Sequence, residues 1–118
     1  MNNEVRNKLI EIAKLGRLLT YSEVNRECKL DLNFDLQCDR AELGRILGNI
    51  SIHENDNDRP MLSAVVTIKG QVKPSFGFYN LAEKLGLLSY NENKDLFWAR
   101  EVKKVFEYWR IDEKGETD

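Results

Sequence analysis

From Met61 to Ile68 the chain reads MLSAVVTI, apolar or β-branched at nearly every position and bounded by Pro60 and Gly70. A strand with one wet face alternates apolar and polar residues, whereas a continuous run of this kind needs cover on both faces. The spacing predicts an interior strand over 61–68. Lys-Gly-Gln at 69–71 then turns the chain into a second strand around Val72, which Pro74 ends because proline has no N–H to give to a ladder. The expected product is a short β-hairpin, set among segments that otherwise carry helical periodicity.

Those helical segments are legible on either side of the run. Val5, Leu9, Ile12 and Ala13 share one face of a helix predicted from Asn3 to Leu15, with Gly16 as its stop. Thr20 followed by Glu23 has the spacing of a capping box, in which hydroxyl and carboxylate each accept from an orphaned backbone N–H, so a second short helix should begin there. In KLDLNFDLQC, Leu30, Leu32, Phe34 and Leu36 alternate with polar residues, which suits a loop pinned by its apolar side chains better than an edge strand. Asp39 with Glu42 repeats the capping logic. Leu43, Ile46, Leu47 and Ile50 then give a third helix over about 40–50 one buried stripe. Residues 54–58, ENDND, read as a solvated acidic turn. After the hairpin, Phe76, Phe78, Tyr79, Leu81, Ala82 and Leu85 lead into a fourth helix stopped by Gly86. A fifth, from about Asp95 to Ile111, places Trp98, Val102, Val105, Phe106 and Trp109 on one stripe, as core.

A chain of 118 residues supports one domain spanning 1–118, with a single core. No apolar run nears the ~20 residues that cross a bilayer, and the opening MNNEVRNKLIEIAK mixes charge with apolar residues unlike a signal peptide. A cytoplasmic location without a membrane partner is expected. Cys28 and Cys38 should then stay reduced. With His53 as the single histidine and no CxxC or HxxxH spacing, neither a metal nor another cofactor is expected.

The order of helix, helix, helix, hairpin and two further helices predicts an α+β fold, a mostly helical winged helix-turn-helix-like domain with the third helix as reader and the hairpin as wing. The run from Leu18 to Gly70, LLTYSEVNREC…RAELGRILGNI…RPMLSAVVTIKG, resembles the DNA-binding domain of alkylguanine-DNA alkyltransferases and alkyltransferase-like proteins. Thr20 and Tyr21 match that family's helix-opening pair. Ala41 and Gly44 match its small-residue helix in part, and Pro60 with Val65 and Val66 its proline-led strand. The resemblance implies a DNA-binding scaffold. It covers under half the chain, and where the family carries its nucleophilic cysteine and the histidine beside it, this chain has Met61 and Leu62. A thioether and an alkyl group can neither attack carbon nor carry a proton, so alkyl-transfer chemistry of that kind is not expected. The chain is also similar to a group of small bacterial proteins that share a Thr-Tyr pair, a Leu-Gly-x-Ile-Leu helix and a Pro-x-Leu-Ser-Ala run.

Other chemistry finds no footing in the sequence. His53 lies at the edge of the acidic turn, Ser63 stands inside the buried run without a glycine-flanked elbow, and no Gly-rich phosphate loop occurs. We therefore expect no enzyme activity, but an interaction module. Charge separates two forms of it. Residues 31–59 carry a local balance of −4, and residues 1–30 and 60–90 each carry +2. The acidic side chains Asp35, Asp39, Glu54, Asp56 and Asp58 suit a basic protein partner, such as a nuclease toxin neutralised by an immunity protein or antitoxin, and the net charge of −2 favours this reading. The alternative is duplex DNA. Ala41, Gly44, Arg45, Gly48 and Asn49 share the face of the third helix opposite its apolar stripe, where absent side chains let another body approach, and Lys69 and Lys73 would contact phosphates from the wing of the 61–73 hairpin.

Overall fold

Asn2 opens the first helix, α1 (Asn3–Lys14), by accepting the Val5 N–H on its side-chain oxygen at 3.0 Å. The computed structural model describes residues 1–68 and 70–117 of the chain, with side chains as far as Arg110. Val5, Leu9, Ile12 and Ala13 are all buried, as their spacing predicts. Gly16 at φ +66° and Gly86 at φ +76° take the left-handed turns that end the first and fourth helices, a conformation that costs a side-chain-bearing residue about 1–2 kcal/mol.

A two-residue strand, β1 (Leu19–Thr20), leads into α2 (Tyr21–Glu27). Both halves of the capping box form: the Glu23 N–H donates to Thr20 Oγ1 at 3.2 Å, and the Thr20 N–H donates to Glu23 Oε1 at 2.9 Å. Residues 30–36 are a loop, as predicted. Asn25 holds it by donating to the Leu32 carbonyl at 2.8 Å and accepting the Leu32 N–H at 2.9 Å, while Leu30, Leu32 and Phe34 pack on the core.

The third helix, α3 (Gln37–Asp56), is nearly twice the length predicted, and it corrects two expectations. Its N-cap is Leu36, not Asp39; Asp39 lies inside the first turn, where its carboxylate accepts the Asn33 N–H at 2.8 Å. At the other end the helix runs on through Glu54, Asn55 and Asp56, so these residues are not a turn. Glu54 is fully buried between Arg6 Nε at 2.7 Å and Arg59 Nε at 2.6 Å, and that ion pair supplies the reason for the extra turns.

The apolar run is interior but is not the predicted strand. Residues Leu62–Val65 form a 3₁₀ turn, followed by a two-residue strand, β2 (Val66–Thr67). β2 pairs in parallel with β1, Leu19 opposite Val66 and Thr20 opposite Thr67, so the expected antiparallel hairpin with Val72 does not form. Past β2 the chain makes a tight turn, in which the Gln71 N–H donates to the Ile68 carbonyl and the Ile68 N–H to the Lys73 carbonyl, and Val72 is left exposed.

The reason is that helices surround the run: α1, α3 and the last helix of the chain all pack on the 3₁₀ turn. A buried backbone needs partners for its polar groups, and here side chains take the place of neighbouring strands. Met61 N–H donates to Glu101 Oε2 at 2.9 Å, Ser63 N–H to Ser51 Oγ at 3.1 Å, and Trp98 Nε1 to the Ala64 carbonyl at 2.8 Å. Met61, Leu62, Ala64 and Val65 are completely buried, each of the larger ones contributing about 1.5–3 kcal/mol of burial.

The last two helices are α4 (Phe76–Lys84) and α5 (Lys94–Thr117). On α5 the most deeply buried positions are Phe97, Glu101, Val105 and Trp109, a stripe one residue back from the predicted one at its start; Trp98, Val102 and Phe106 flank it, half-buried. The fold is thus α+β and mostly helical: among the described residues there are five α-helices and one two-stranded parallel sheet. No described helix is long and apolar enough to cross a membrane.

Candidate functional site

α3, α4 and the 3₁₀ turn leave a cavity of about 310 Å³ between them, roofed by Tyr21 at the start of α2 and by the loop at 74–75. Its walls are apolar, formed chiefly by Leu47, Val66, Phe78 and Leu81. Its polar groups are few: the hydroxyls of Tyr21, Ser63 and Ser75, the Asn80 amide and Lys84. None of the described residues that line it is acidic. Such a concave site, apolar with a few convergent polar groups, is the usual form of a ligand pocket, whose volumes run upward from about 300 Å³.

Two of its hydroxyls are held in place. Tyr21 Oη donates to Ser75 Oγ at 2.8 Å. Burial pushes the Tyr21 phenol above its ordinary value, with the Ser75 hydrogen bond opposing, so the group is a neutral donor across the physiological range. Ser63 and Ser51 place their Oγ atoms 2.7 Å apart, and both residues are buried.

The cavity opens onto the small-residue face of α3. Gly44 and Gly48 line it, and Ala41, Gly44, Arg45 and Asn49 are exposed beside it. A packing seam within the domain would account for both glycines equally, but they differ. A Cβ at Gly48 would meet Leu81 Cδ2 at 3.8 Å, an ordinary contact with α4; a Cβ at Gly44 would meet nothing within 4 Å. At Gly44 the helix backbone is therefore bare toward solvent. Since glycine costs a helix interior about 1 kcal/mol relative to alanine, that bareness is not a contribution to stability.

Among the described residues, three cations bear on this face. Lys73 is exposed, next to Pro74, which lines the cavity, and Lys84 stands at the cavity itself. Arg45 is exposed and forked onto Glu42, Nε to Oε1 and Nη2 to Oε2, both at 2.8 Å. The hydrogen bonds from Arg45 hold the Glu42 carboxyl below its ordinary value, and Glu42 holds Arg45 above its own, so Arg45 brings a guanidinium already matched to one carboxylate. Lys69, predicted as a phosphate contact, lies outside the described residues.

The acidic set is not brought together. Asp35 and Asp39 lie at the start of α3, and Asp56 and Asp58 at its end. The 17-residue step from Asp39 to Asp56 along the helix separates them by ~26 Å at 1.5 Å per residue. Glu54, expected on the acidic surface, is corrected to an interior position, its carboxylate used by Arg6 and Arg59. Met61 and Leu62 are both wholly buried and present no reactive atom to the cavity. Sequence reasoning missed the cavity residues Tyr21, Ser63, Ser75, Asn80 and Lys84 as a set, because they come from four separate segments with no spacing in common. Comparison with known proteins brings no match, from family models, curated proteins or solved structures.

Proposed function

We propose that the chain is a non-catalytic nucleic-acid-binding module that docks duplex DNA on the open face of α3. The observation that carries this reading is Gly44, where the backbone of a well-packed helix is left bare, at the edge of a cavity whose described lining includes Lys84 and no carboxylate. Small residues let a phosphate backbone come close to the helix, the two lysines supply sequence-independent attraction, and Asn49 offers an amide that can both donate and accept at a base edge. In this proposal α2 and α3 act as a helix-turn-helix pair and the turn at 70–73 as a wing without paired strands. The resemblance of LLTYSEVNREC and RAELGRILGNI to alkyltransferase-like proteins supports the same assignment of α3.

A basic protein partner, the reading suggested by the acidic segments, has less support, since Glu54 is consumed internally and the remaining carboxylates lie at opposite ends of a 20-residue helix. Electrostatic complementarity acts through one contiguous patch, and two clusters ~26 Å apart do not make one.

With about two phosphate contacts, from Lys73 and Lys84, the affinity for a random-sequence duplex should be weak and salt-dependent: log K against log salt should fall with a slope of about −2, at −0.9 per neutralised phosphate. Fluorescence anisotropy of a labelled 20-bp duplex between low and moderate salt measures this. A slope near zero, or no binding at the lowest salt, would remove the proposal.

A further inference from the structure

We propose that the cavity beside α3 is a binding site for a small, apolar-bodied carboxylate, and that its occupancy closes the α3 face to DNA. The first half stands on the cavity alone; the second rests on the DNA reading above.

The buried serine pair holds one more hydroxyl proton than its contacts use. Ser51 Oγ accepts the Ser63 N–H at 3.1 Å and shares a hydrogen bond with Ser63 Oγ at 2.7 Å. Two hydroxyls bring two protons to this pair, and the single O···O contact uses one. If Ser63 donates to Ser51, the proton of Ser51 is left over at a site with no solvent exposure, which is costly. If Ser51 donates to Ser63, the leftover proton belongs to Ser63, which is 6% exposed and lines the cavity. The second arrangement is the cheaper one, and it offers a hydroxyl donor at the cavity wall. A ligand oxygen there completes the network.

Charge and shape then narrow the class. Among the described residues, Lys84 is the one cation lining the cavity, and no carboxylate opposes it there. An anion gains attraction on entry, and a cation meets Lys84 as a like charge. Leu47, Val66, Phe78 and Leu81 give the body of the ligand an apolar surface, and about 310 Å³ limits it to one or two rings. A carboxylate on such a body has acceptor oxygens for Ser63 and a charge for Lys84. Because Gly44 and Gly48 belong both to the cavity lining and to the open face, a ligand in place stands where DNA would have to approach.

The probe is 1-naphthoate, followed by ¹H–¹⁵N NMR on the full chain, with 1-naphthylmethylamine as the same ring carrying the opposite charge. Saturable one-to-one shifts are expected at the amides of Gly44, Gly48, Ser63 and Gly77, with the amine at least tenfold weaker. Ser63→Ala should weaken naphthoate about 3- to 10-fold, the worth of one hydrogen bond. Ser51→Ala strands the Ser63 N–H and should lower Tm further than Ser63→Ala does. A structural role for the pair predicts that affinity follows the same order; the proposal predicts the reverse, with the Ser63 variant the poorer binder. Absence of saturable shifts at these amides, equal binding of the amine, or affinities that simply track Tm would each overturn the site.

Competition separates the two halves. Naphthoate that shifts the cavity amides and also releases a labelled duplex supports both. Naphthoate that binds while no duplex binds at all keeps the site and defeats the DNA reading. Duplex that binds while naphthoate leaves the cavity amides unmoved defeats the site and keeps the DNA reading. Duplex that itself shifts Ser63 in the wall would show a nucleotide to be the occupant, and would overturn the small carboxylate.

Discussion

Replacement of Glu54 by alanine is expected to cost about 3–5 kcal/mol and to lower Tm by about 10–20 °C, as measured by circular dichroism melting. Glu54 has no solvent exposure and accepts from Arg6 Nε at 2.7 Å, Arg6 Nη2 at 3.4 Å and Arg59 Nε at 2.6 Å. Its removal leaves two guanidinium groups, each about one-fifth exposed, facing an empty space without a counter-charge. The damage extends beyond α3, because Arg6 belongs to α1 and lies 5.8 Å from the Trp109 ring on α5. Glu54→Gln keeps the volume and part of the hydrogen bonding, so its loss should be smaller.

The same carboxylate gives stability an acid limit. Burial pushes the Glu54 carboxyl up, but hydrogen bonds from Arg6 and Arg59, with their charges, outweigh it and hold the group below its ordinary value of 4.5. The unfolded chain therefore binds this proton at a higher pH than the folded chain does. The contribution of Glu54 is fully present above about pH 4.5 and is lost as pH falls through the lower folded value. Wild-type Tm should decline in that acid range, and Glu54→Gln should decline less steeply. Parallel curves for the two proteins would contradict the assignment.

Gly44→Glu should act in the opposite sense on stability and on binding. A side chain there meets nothing within 4 Å, and removal of a helical glycine returns up to about 1 kcal/mol, so Tm should hold or rise by a few degrees. Yet the new carboxylate lands on the face that DNA is proposed to meet, where a like charge costs several kcal/mol. Affinity for the 20-bp duplex should fall at least 30-fold, about 2 kcal/mol. Gly44→Ala should share the gain in stability with a much smaller loss of affinity. Wild-type affinity in the glutamate variant would place the contact elsewhere.

Much of the scaffold is legible in the sequence because its helices bury single stripes. Val5, Leu9, Ile12 and Ala13 on α1, and Leu43, Ile46, Leu47 and Ile50 on α3, recur at the helical period and are all buried; Thr20 and Glu23 advertise their capping box. The 61–68 run is different. Its continuous apolarity reports burial on all sides, and burial alone does not distinguish a strand from a 3₁₀ turn enclosed by helices. What decides it is the side-chain partners Ser51, Trp98 and Glu101, which are 12, 34 and 40 residues from the backbone groups they satisfy and have no marker in the sequence. Glu54 was obscured in the same way, by its setting among Asn and Asp residues and by a partner, Arg6, 48 positions away. The open face of α3 was readable as an anomaly, two glycines in a helix. The cavity next to it was not, since its polar groups meet only once α2, α4 and the loop at 74–75 are in place.

The most direct test of the α3 assignment is an amide footprint of the full chain titrated with a 20-bp duplex at low salt. The account predicts shifts concentrated at Ala41, Gly44, Arg45, Gly48, Asn49, Lys73 and Lys84, with Asp35 and Asp58 at the two ends of the helix unmoved. Shifts gathered at those acidic ends, or none at the glycines, would contradict it.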